Sequence, residues 1–165
     1  MIFLAEGESL KVFLGSIVAF LVIVADQMSK YLVLGWLGVR TYEPLTSFFA
    51  IVRAWNTGVS FSMFNNYGNV GAYLLSLVAI IIVSMLLHWL KKEENRLTQV
   101  ALGLIMGGAL GNVIDRLRFG AVYDFLDVHV GDIHWPAFNL ADSCICIGAA
   151  IIIIQSVVFK FVKRG

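Results

Sequence analysis

The sequence predicts a mainly α-helical membrane protein with four transmembrane helices. Three observations carry this reading. Hydrophobic residues make up 59% of the 165 residues and charged residues only 14%, with a mean hydropathy of +0.86. Soluble domains carry roughly 25% charged residues, so neither a soluble globule nor a disordered chain fits. Four stretches reach the ~20 apolar residues that a membrane-crossing helix needs. The basic residues, finally, collect on one set of connections.

The first stretch runs from about 10 to 37 and is interrupted by Asp26 and Lys30. Glu6 and Glu8 precede it instead of a basic run, and no small-x-small site follows. It therefore reads as a permanent anchor and not as a cleavable signal peptide. The second stretch, 70–90, carries no Asp, Glu, Lys or Arg. The third, 97–116, holds Gly103, Gly107, Gly108 and Gly111. The four-residue repeat of Gly103, Gly107 and Gly111 reads as close helix packing. The fourth, 142–162, contains the run Ile151-Ile152-Ile153-Ile154.

The link between the second and third stretches holds Lys91, Lys92 and Arg96, and the C-terminus holds Lys160, Lys163 and Arg164. Lys and Arg favour the cytoplasmic side, which places both termini there. The connections at about 38–69 and 117–141 then face outward, and both look structured. The aromatic and β-branched run 47–55 suggests a strand. Asn56-Thr57-Gly58 reads as a turn. Residues 60–64 suit either a short interfacial helix or another strand. Trp36, Trp55, Tyr67 and Trp135 suit the membrane–water boundary. With no repeat and no linker, 1–165 reads as one integral-membrane domain.

This topology gathers the unusual polar residues at the outward face. Asp26 and Lys30 end the first span. Asn112, Asp115 and Arg116 end the third, Asp142 begins the fourth, and the loops supply Asn56, Asp124 and Asn139. Ionisable groups at membrane depth are costly and mark function by default. Each also has an ordinary reading. Asp26 and Lys30 suit a helical ion pair at i, i+4. Asp115 with Arg116 would organise the end of a helix. Asp142 would serve as an N-cap. Asp124 would be a turn acid, although Val122-Tyr123-Asp124-Phe125-Leu126 is an apolar setting for one.

Other chemistries are less well served. Asp127 and Asp132 read as solvated. No metal role is expected for His129 and His134, because no third and fourth ligand at suitable spacing accompanies them. Ser60, Ser62 and Ser143 lack a histidine base. Cys144 and Cys146 point to different helix faces, so no disulfide is expected. A net charge of +1 gives no broad attraction to nucleic acid. An ion-coupled transporter would also use intramembrane acids, but the second span offers none to complete a path. What remains is a carboxylate pair, in which one acid holds a proton and the other a charge. Asp124 and Asp142 are 18 residues apart, enough to cross the outer surface and return.

Five blocks carry a resemblance. They are Asp26-Gln27-Met28-Ser29-Lys30, Asn56-Thr57-Gly58-Val59-Ser60-Phe61-Ser62, the run 107–116 ending in Asn112-Val113-Ile114-Asp115-Arg116, Val122-Tyr123-Asp124-Phe125, and Phe138-Asn139-Leu140-Ala141-Asp142-Ser143. In these the chain resembles the lipoprotein signal peptidases (signal peptidase II), membrane aspartyl peptidases of bacteria. The resemblance implies that Asp124 and Asp142 are the catalytic dyad. It places Asn56, Gly58, Asn112, Arg116 and Asn139 around the site, with Asp26, Lys30 and Asp115 in support. It implies a small extracytoplasmic β-cradle and a flap-like helix in the first outward loop. One departure is visible: Val59-Ser60 stands where the family often has Ala-Ala, which bears on substrate fit there and not on the dyad. The implied substrates are prolipoproteins with a diacylglyceryl-modified cysteine, cut just before that cysteine at the outer face of the bacterial inner membrane. Membrane lipids are the other implied partners, neither metal nor organic cofactor is implied, and a monomer is the expectation.

Overall fold

A computed structural model describes residues 2–58 and 70–162, with side chains for 12–58 and 70–157. Four helices follow the four apolar runs: α1 (Ile2–Leu37), α2 (Val70–Lys92), α3 (Arg96–Phe119) and α4 (Leu140–Val162). Each is long and apolar enough to cross a membrane. The apolar span of α1 is Val12–Leu37, close to the stretch read from the sequence, and the helix extends beyond it to Ile2. Residues 59–69 lie outside the described residues, and with them the element expected at 60–64, the implied flap and Tyr67.

α3 is the central helix and packs against each of the other three. Its glycines explain how. A Cβ on Gly103 would meet the Gly15 carbonyl oxygen at 2.5 Å, and one on Gly107 the Ala19 oxygen at 2.6 Å, both on α1. On Gly108 it would strike the Ala141 oxygen of α4 at 2.4 Å. In lipid, helices associate by such close packing and not by a hydrophobic drive between them. Large apolar side chains such as Phe20, Leu77, Ile81 and Ile153 accordingly remain exposed on the outer helices.

One end of the bundle carries an antiparallel sheet of β1 (Tyr42–Pro44), β2 (Phe49–Asn56), β3 (Val122–Val130) and β4 (Ile133–His134), in that spatial order. β2 matches the strand expected at 47–55. β3 places Asp124 on a strand and not in a turn. The reason is alternation: Tyr123 and Phe125 point to one face and pack with Leu37 and Ile51. Asp124 is therefore directed the other way. The passage from α3 to β3 is abrupt. Gly120 ends the helix in a left-handed conformation, its N–H bonded to the Arg116 carbonyl at 3.0 Å, and β3 starts two residues later.

Candidate active site

The site is built from the start of α4. Asn139 directly precedes this helix, and its Oδ1 accepts from the Asp142 N–H at 2.9 Å. Asp142 Oδ2 accepts in return from the Asn139 N–H at 3.2 Å. This is a reciprocal capping box, which satisfies two of the orphan donors at a helix start. Asn139 is therefore the cap. Asp142 stands three residues further on, a correction to its reading as an N-cap. Its other oxygen accepts from Asn112 Nδ2 of α3 at 2.8 Å.

Asp124 meets the same asparagine. Asn139 Nδ2 donates to Asp124 Oδ1 at 2.7 Å, and Asn56 Nδ2 donates to Asp124 Oδ2 at 3.0 Å. Asn56 is fixed in turn by the Gly58 N–H, which donates to its Oδ1 at 2.8 Å. Gly58 has φ +73°, a left-handed conformation that glycine adopts without a Cβ penalty, and a Cβ there would strike Leu75. Burial pushes the Asp124 carboxyl up to about 6; the bonds from Asn56 and Asn139 hold it back, and the charge of Asp142 adds to the rise. Two acids from a strand and a helix are thus joined through one fully buried asparagine.

A buried ionic cluster holds the helices in this register. Lys30 Nζ lies 2.8 Å from both Asp26 Oδ2 and Asp115 Oδ2, and it donates to Asn112 Oδ1 at 3.2 Å. The Asp26–Lys30 pair is therefore no isolated surface pair. Asp26 Oδ1 accepts from the Ala141 N–H of α4 at 3.0 Å. Asp115 Oδ2 accepts from the Tyr123 N–H of β3 at 3.2 Å. Removing one partner from such a cluster leaves a buried charge uncompensated.

Arg116 is half-buried and senses the charges of Asp142, Asp124 and Asp115. Among the described residues it makes no ion pair, and its buried Nε has no hydrogen-bond partner. It stands at one remove from the acids.

Two residues went unassigned in the sequence. Gln27 donates from Nε2 to Asp115 Oδ1 at 2.9 Å and to Asp26 and the Gly111 carbonyl at 3.2 Å. Its position beside Asp26 was the available signal. Asp127, read as solvated, is buried and meets both His129 and His134. Of the third and fourth donors that the sequence was read to lack beside these histidines, the structure brings up a third, Asp127. Burial raises the Asp127 carboxyl, but the bonds from His134 and His129 outweigh this and hold it below the usual carboxylate range. Gly131-Asp132 between two apolar runs was the hairpin signal that would have placed His134 beside His129.

The chain also matches known proteins. The family described as Signal peptidase (SPase) II matches residues 18–158. A lipoprotein signal peptidase of Teredinibacter turnerae is 43% identical over 141 residues, covering 84% of each chain. One from Shewanella loihica is 44% identical over 150 residues, covering 90% of this chain and 88% of its own. A bacterial membrane enzyme solved by the in meso method at 2.3 Å resolution superposes with a TM-score of 0.73 at 29% identity, covering 87% of each chain. A similar bacterial membrane enzyme at 1.9 Å resolution gives a TM-score of 0.71 at 31% identity, covering 86% of this chain and 90% of that one. This chain belongs to the signal peptidase II family of aspartic peptidases.

Proposed function

We propose that this chain removes the signal peptide from diacylglyceryl-modified prolipoproteins, cutting before the lipidated cysteine with water activated between Asp124 and Asp142. The observation that carries the reading is the pair of hydrogen bonds that Asn139 donates, from its N–H to Asp142 and from its Nδ2 to Asp124. In this reading 1–165 is one peptidase domain with both termini cytoplasmic. The sheet end of the bundle faces outward, where a translocated signal peptide ends. Lys91, Lys92 and Arg96 at the opposite end support that orientation. The diacylglyceryl group stays in the surrounding lipid while its peptide enters the site.

The chemistry needs one proton on the pair. Asp124, buried and shifted to about 6, carries it. Asp142 lies in the first turn of α4, held there by Asn112 Nδ2 and the Asn139 N–H. Asp142 takes a proton from the water, and the hydroxide adds to the scissile carbonyl carbon. Asp124 donates a hydrogen bond to the carbonyl oxygen as negative charge builds there. The C–N bond then breaks, and the proton held by Asp142 passes to the departing amine. The products are a signal peptide with a new carboxyl end and a lipidated cysteine with a free amine. The pair keeps its single proton. Arg116, at one remove, still puts a positive charge within reach of both acids and so discourages a second proton from binding. Asn112 holds Asp142, and Asn56 holds Asp124.

The test is cleavage by the purified chain of a peptide bearing an S-diacylglyceryl cysteine. Mass spectrometry should find one product beginning at that cysteine, and no cleavage of the unmodified peptide. Cleavage at another bond, or none, overturns the reading.

A further inference from the structure

We propose that Asp127, His129 and His134 form a binding site for a divalent transition-metal ion of the zinc type. Asp127 and His129 are two apart on β3 and so share a face. The Gly131-Asp132 turn brings β4 back so that His134 pairs directly with His129. The three side chains thus converge from a single hairpin.

Their donor atoms converge as well. His129 Nδ1 lies 2.7 Å from Asp127 Oδ1, and His134 Nδ1 lies 3.0 Å and 2.8 Å from the two Asp127 oxygens. One atom from each residue falls within 4.8 Å of the others. The imidazole rings stack at 4.8 Å with 25° between their planes. Two imidazoles and a carboxylate are a donor set that zinc accepts, leaving a fourth position for water. With bonds of about 2.0–2.2 Å, tetrahedral ligand atoms stand roughly 3.3 Å apart. The Asp127–histidine contacts need open by only a few tenths of an ångström, and donor atoms that now stand up to 4.8 Å apart must draw together by about 1.5 Å. Asp127 and His129 are buried, whereas the His134 side chain is 44% exposed and supplies the way in.

The site is separate from the peptidase chemistry. Asp124 and Asp127 are three apart on β3, an odd separation that sends their side chains to opposite faces. The ion would fasten the two-residue β4 to β3 and stiffen the strand that carries Asp124. Its role is structural.

The experiment uses the full chain in detergent, stripped with a chelator and titrated with zinc chloride by calorimetry. Cobalt(II) serves as the spectroscopic probe. The expected result is one ion per chain, a rise in Tm on zinc addition, and visible cobalt bands of a low-coordinate N/O site. His134→Ala changes an exposed side chain at the sheet edge, so it keeps the fold; it should weaken binding at least ~10-fold. Asp127→Asn should do the same, and Asp132→Asn should not. Absence of saturable binding, or affinity unchanged in both His134→Ala and Asp127→Asn, overturns the proposal.

Discussion

Asn139 Nδ2 stands 2.7 Å from Asp124 Oδ1, with the asparagine side chain wholly buried. The same residue caps α4 through Asp142. Asn139→Ala should therefore cost twice. Loss of the cap and of a buried hydrogen bond to Asp124 should lower stability by about 2–4 kcal/mol. Turnover should fall by roughly 10²-fold or more, mainly in kcat, because the acids lose their common support. Denaturation in detergent and steady-state kinetics on a lipidated peptide check the two effects separately.

Asp124→Asn and Asp142→Asn should each lower cleavage by ~10³-fold or more, since each removes one half of the proton transfer. Both variants should remain folded and membrane-inserted, because asparagine keeps the shape of the replaced side chain. Full turnover by either purified variant would remove that residue from the dyad.

The pH profile carries a sign. Burial, above all, lifts Asp124 from 3.8 to about 6, and the proposed chemistry needs it protonated. kcat/KM, which reports the free enzyme, should fall as pH rises through about 6. Asn56→Ala removes a bond that favours the ionised form and should move this limb to higher pH. Stability follows the same direction. The folded chain holds this proton more tightly than the unfolded one, so the contribution of Asp124 is complete below 3.8 and is lost as pH rises through about 6. Asp124→Asn should lack that part of the Tm-against-pH curve.

Asp115→Asn should act through stability. Asp115 joins Lys30, Gln27 and the Tyr123 N–H, tying α1, α3 and β3 together. Breaking a buried pair by losing one partner costs about 3–5 kcal/mol. Tm should drop, while activity per folded molecule stays near wild type. An unchanged Tm with abolished turnover would move Asp115 into the catalytic set.

Gly107→Val should separate α1 from α3. A Cβ there already meets the Ala19 oxygen at 2.6 Å, so two further methyl groups cannot fit. The expected loss is about 1–3 kcal/mol, read as a lower Tm.

The helices were legible because membrane crossing demands long apolar runs, which no other residue pattern imitates. The clustering of Asp26, Lys30, Asn112, Asp115 and Asp142 at one end followed from chain direction alone. β3 was harder to see. Its face is apolar at Tyr123 and Phe125 but acidic at Asp127, so its alternation is blurred, and its partner β2 lies over sixty residues earlier. Asp127 was misread for the same reason: its burial depends on His134, which only the hairpin register brings near. Asn139 was expected around the site, but not as the residue that joins the two acids. Its reach to both acids depends on the angle at which α4 meets β3, and no local spacing encodes that angle.

The bond from Asp26 to the Ala141 N–H joins residues 115 positions apart, on the first and last helices. While the ribosome is still releasing the final quarter of the chain, Asp124 has no mate and the cap at Asn139 has no helix to close. Under the proposed mechanism such a copy cannot yet hydrolyse a peptide, and its activity waits on the docking of α4 against α1.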